Sequence, residues 1–108
     1  MGERKTAIRS FLEDDPELAD DISAFVVKLA EQVDSLQDAE ASAQWEPLRD
    51  FASNLARDAD RCGFPGLSQV ARGVARAAED GKPDDARAGL VELTEMSQRV
   101  RLGHRGSA

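Results

Sequence analysis

The chain has 108 residues, with 21 acidic and 14 basic side chains, a net charge of −7, and a single cysteine. That length supports one domain whose core needs no staples, and the lone Cys62 excludes an internal disulfide framework and any multi-cysteine zinc or iron–sulfur site. The acidic balance argues against the basic face that phosphate backbones require. The longest apolar run, Ala24 to Val27, ends at Lys28, far short of the ~20 residues that span a bilayer.

The opening Met1-Gly2-Glu3-Arg4-Lys5 leads into polar sequence without the apolar stretch of an export signal, so a reducing cytoplasmic setting is expected. Ile8, Phe11 and Leu12 are spaced for one short helix that caps an open end of the fold. Asp14-Asp15-Pro16-Glu17 reads as a helix start, because Asp can cap, Pro fits a first turn, and acidic groups complement the positive helix end. Leu18, Ile22, Phe25, Leu29, Val33 and Leu36 then form an apolar stripe at helical spacing. Ala24 and Val27 fall on the flank of that stripe.

Ala39 to Gln44 interrupt the pattern. Trp45, Leu48, Phe51, Ala52, Leu55, Ala59 and Cys62 restart it, with Pro47 tolerated in the first turn, and the helix is expected to stop at Gly63. Gly63-Phe64-Pro65-Gly66 breaks the chain again. Leu67, Val70, Ala71, Val74, Ala77 and Ala78 give a third stripe ending by Gly81. Lys82-Pro83-Asp84-Asp85 opens a fourth, carried by Ala86, Leu90, Leu93, Met96 or Ser97, and Val100. Residues 103–108 are expected to fray, which leaves 1–102 as a single domain. No internal repeat is evident. Short connections between long helices predict an all-α, antiparallel up-down-up-down four-helix bundle with a short N-terminal capping helix.

From the second helix onward the chain resembles the histidine-containing phosphotransfer (Hpt) domains of bacterial phosphorelays. The signature of that family, His-x-Leu-Lys-Gly-x-Ala-x-x-x-Gly with a Leu four residues later, is matched by Leu55, Ala59, Gly63 and Leu67. The acidic opening Asp14-Asp15-Pro16, the break before Trp45, Gly63-Phe64-Pro65, and the Ala-rich third helix with its Gly-Lys-Pro-Asp turn are further likenesses. In this register the phosphoacceptor His is replaced by Ser53, the Lys by Ala56 and the Gly by Arg57. An imidazole forms a transferable phosphoramidate, whereas a hydroxyl without a neighbouring base is a poor nucleophile and its phosphate ester is too stable for relay. The lost Lys would supply charge beside the phosphoryl group and the lost Gly would admit the partner closely, space that Arg57 fills.

The resemblance therefore implies a non-enzymatic domain without cofactor or metal. It would act as a monomer that binds the receiver domain of a response regulator, or a histidine kinase, without accepting phosphate. The expected contact surface is the second helix at Ser53, Ala56, Arg57, Asp60 and Arg49, with help from Val27. Arg49 and Arg57 flank Ser53 one turn away on either side, so they could meet a receiver's acidic pocket or a phosphate on Ser53. An ordinary solvated helix face accounts for the same charges. The alternative function is a structural or dimerising helical domain with no phosphorelay partner, and a phosphotransferase with an unusual acceptor is a third reading. His104 is placed in the frayed tail. Cys62 reads as a small buried hydrophobe, and Gly73 and Gly89 as sites of close helix crossing.

Overall fold

The computed structural model describes residues 6–106; Met1 to Lys5, Ser107 and Ala108 lie outside the described residues. These form four helices and no strand: α1 (Ala19–Ala41), α2 (Trp45–Arg61), α3 (Pro65–Glu79) and α4 (Pro83–Gly106). Consecutive helices pack on one another, and α1 also packs on α4. The stripes converge on one core in which Leu29, Leu48, Leu67, Ala71, Val74 and Leu93 are wholly buried. Phe25 and Phe64 stack within it, ring centroids 5.6 Å apart. Many of the small residues between α2 and α3, such as Ala52, Ala59, Ala71 and Ala78, are buried, letting two backbones approach closely while filling the space between them.

The three helix junctions are built alike. Each helix is followed by a residue in the left-handed region, Ala43 (φ 55°), Gly63 (φ 84°) or Gly81 (φ 70°). The N–H of the next residue reaches back five positions: Gln44 to the carbonyl of Ala39 (2.8 Å), Phe64 to Ala59 (2.8 Å) and Lys82 to Ala77 (2.9 Å). The carbonyls of Gln44, Phe64 and Lys82 then accept from Leu48, Ser68 and Ala86, each at 3.0 Å. One residue thus closes a helix and opens the next, which satisfies orphan backbone groups at both ends. Pro65 and Pro83 stand at the first helical position and Pro47 within the first turn, where a missing N–H costs nothing.

Side chains join elements distant in sequence. Arg87 on α4 donates to the Glu40 carboxylate on α1 (3.0 Å), and Gln37 on α1 donates to the Thr94 hydroxyl (2.8 Å). Arg72 on α3 pairs with Asp60 on α2, and Arg49 on α2 lies 4.0 Å from Glu79 on α3.

Several expectations are corrected. Residues 6–14 form no capping helix but an irregular strap ending in turns. Its polar groups bond outward: Ile8 N–H to the Arg99 carbonyl (3.0 Å), Phe11 N–H to the Gly63 carbonyl (3.0 Å), and the Ser10 hydroxyl to the Cys62 carbonyl (2.5 Å). Each of these bonds occupies a group that a helix would have used internally or left idle. The first long helix starts at Ala19 because Asp15 serves a tighter turn: its carboxylate accepts Glu17 N–H (2.9 Å) and its carbonyl accepts Leu18 N–H (3.1 Å). At the other end α4 continues to Gly106, so its helix runs beyond the boundary drawn at residue 102. Gly103 is buried because the strap crosses it; a Cβ there would lie 2.7 Å from the Ile8 carbonyl oxygen. Finally, Phe51 is 44 % exposed while Ser97, rather than Met96, is buried.

Candidate functional site

The middle of α2 presents Arg49, Ser53 and Arg57 at successive four-residue steps, with Asp60 beside them, so a single helix aligns them on one flank. Ser53, Arg57 and Asp60 are exposed and Arg49 is partly covered. Ala56 departs from the expectation for a contact residue: it is 2 % exposed and belongs to the core. A side chain facing the helix interface cannot touch a partner directly. Its role is to let α2 settle closely on its neighbours.

The charges on this flank are unequally compensated. The Arg49 guanidinium donates to Asp50 (3.1 Å), and this bond, with the attraction of the same carboxylate, holds Arg49 above its ordinary value. Asp60 is engaged by Arg72, and Arg61 lies 3.4 Å from Asp58. Arg57 instead donates to the neutral side-chain oxygen of Asn54 (3.1 Å) and forms no ion pair with the described residues. Its full positive charge therefore faces solvent one turn from the Ser53 hydroxyl. That hydroxyl has no base hydrogen-bonded to it among the described residues, so nothing there raises its nucleophilicity. The arrangement can attract an anionic group.

Val27 is 73 % exposed on α1, the helix that packs on α2. Ala24 is exposed on the same flank. Trp45 is half-buried and packs on the core. Cys62 is buried, its thiol 3.7 Å from the Asp21 carbonyl. Among the described residues no group of His, Cys, Asp and Glu side chains could hold a metal ion, and no helix is long and apolar enough to cross a membrane.

His104 is not isolated in a loose tail. It sits half-buried on the last turns of α4 and lines a cleft beneath the strap, together with Asp14 and Ser23. Sequence reasoning missed this grouping because it depends on the strap lying across the helix ends, and no periodicity encodes that path.

Comparison with protein-family models, with curated proteins and with solved structures finds no match for this chain.

Proposed function

We propose that this chain is a non-catalytic Hpt-like module, folded as an antiparallel four-helix bundle, that docks on a receiver domain or histidine kinase in the cytoplasm without accepting phosphate. The observation that carries the reading is the exposed Ser53 beside the uncompensated Arg57 on α2. A receiver concentrates carboxylates around its phosphorylation site, and an unpaired guanidinium complements such a pocket at little desolvation cost. The ties between α1 and α4 support the antiparallel arrangement, since the partner number on α4 falls from 94 to 87 as that on α1 rises from 37 to 40. The register of Leu55, Ala59, Gly63 and Leu67 supports the family, with Gly63 in the left-handed turn that its position requires.

The test is a titration with phosphorylated and unphosphorylated receivers and with histidine kinases of the source organism, following both affinity and label. The expected result is binding without acid-labile label, weakened about tenfold or more by Arg57→Glu, since reversing a charge at a complementary surface costs on the order of 1–3 kcal/mol. Acid-labile phosphate on the chain would overturn the reading. So would the absence of binding to every receiver and kinase together with a concentration-dependent dimer, which would establish the structural alternative.

A further inference from the structure

The strap formed by residues 6–14 roofs a cleft of about 300 Å³ at the end of the fold that holds the α2–α3 turn. Its floor is apolar and buried: Ile22 and Val26 from α1, Phe64 from the turn, and Val100 from α4. Its mouth is polar, with Arg9, Glu13 and Asp14 from the strap, Ser23 from α1 and His104 from α4. None of Arg49, Ser53, Arg57, Asp60 or Val27 lines it, so it is separate from the α2 flank.

The two acidic groups at the mouth differ. Glu13 receives the Arg9 guanidinium on both oxygens (3.0 and 3.1 Å) and is neutralised in place. The Asp14 carboxylate makes no hydrogen bond or ion pair among the described residues. Among the described residues the cleft therefore carries one uncompensated negative charge above an apolar floor, at the lower end of the size range for small-molecule sites. The geometry points to a binding site for a small organic amine: a compact apolar or aromatic body resting on Ile22, Val26, Phe64 and Val100, with its ammonium group turned outward to Asp14. Ser23 and His104 line the same cleft. An anion of equal shape would meet Asp14 unfavourably, and this is what gives the site its sign.

The site is built rather than accidental in one respect. The roof fits because two positions beneath it have no side chain: a Cβ on Gly63 would collide with the Ser10 hydroxyl, and one on Gly103 with the Ile8 carbonyl.

Phenethylamine, phenylpropionate and phenethyl alcohol share a body and differ in charge, and each can be titrated into the full chain while backbone amide shifts are followed by NMR. The amine is expected to perturb Ser23, Val26, Val100 and Gly103 saturably, and to do so more weakly as salt is raised, whereas the carboxylate binds about tenfold more weakly than the amine. Asp14→Asn, an exposed substitution, is expected to weaken the amine about threefold and to bring it level with the alcohol. Ser23→Phe, which fills the mouth from a half-buried wall, is expected to abolish the shifts. Equal binding of amine and carboxylate, shifts that map elsewhere, or undiminished binding to both variants would each overturn the assignment.

Discussion

Cys62 shows how one buried side chain couples stability to pH. Burial is the main reason its thiol is pushed above the ordinary value near 9.0; Asp21 and Asp58 act in the same direction and Arg61 opposes them. In the unfolded chain the thiol ionises at its ordinary value, while the folded chain retains the proton to higher pH. Between those two values the folded state binds more protons, so stability is fully present below about pH 8 and falls as pH rises through 9 and beyond. Urea midpoints measured at about pH 7.5, 9 and 10 should fall across that series, and Cys62→Ala should flatten this part of the decline. At position 56 helix rotation, not side-chain size, decides burial. Each residue turns a helix by about 100°, so Ala56 lies much nearer the direction of Ala52 than Phe51 does. The larger apolar residue drew the sequence reading toward position 51, yet rotation placed the smaller one inside. Ala56→Lys would therefore force an ammonium to snorkel out of a packed interface.

Among the elements, the repeated turn and the two mid-helix glycines separate backbone strain from crowding. Ala43 occupies a left-handed conformation without glycine's freedom, at a cost of about 1 kcal/mol, so Ala43→Gly is expected to stabilise by roughly that amount. Gly81→Ala meets nothing within 4 Å and should lose about 1 kcal/mol from φ alone. Gly63→Ala incurs the same strain and also drives a Cβ into Ser10, so its loss should be about 2–3 kcal/mol. Within helices, Gly73→Ala enters open space and should gain up to about 1 kcal/mol of helix propensity. A Cβ at Gly89 would stand 2.8 Å from a methyl carbon of the buried Val74, so Gly89→Ala should lose about 1–2 kcal/mol despite the same propensity gain. Denaturant midpoints for the five variants check the series. Close crossing thus accounts for Gly89 and not for Gly73. The sequence displayed both glycines at the same cost; the distinction lies in which one faces another helix.

Across the whole molecule, the four helices were legible because amphipathic period, Pro at helix openings and Gly at helix ends agree with one another. The strap was not, because its conformation is dictated by groups it meets on distant elements rather than by neighbours in sequence. Ser10 illustrates this: its hydroxyl donates to the Cys62 carbonyl and accepts Leu12 N–H (3.0 Å), a role no local pattern announces. Ser10→Ala should cost about 1–2 kcal/mol by leaving those partners unsatisfied. In native-state hydrogen exchange, the resulting loss of protection should be concentrated at Phe11 and Leu12 while the centres of α2 and α3 keep theirs. An even loss of protection throughout would show instead that the strap and the helices open as one unit.

The bonds that hold residues 6–14 join groups separated by about half to nearly all of the chain, such as Ser10 with Cys62 and Thr6 with Arg99. Helices and their connecting turns form from near neighbours, so on refolding they can assemble before these distant partners meet. The roofed cleft thus exists only once helix ends distant in sequence have come together, which makes its integrity a probe of tertiary assembly.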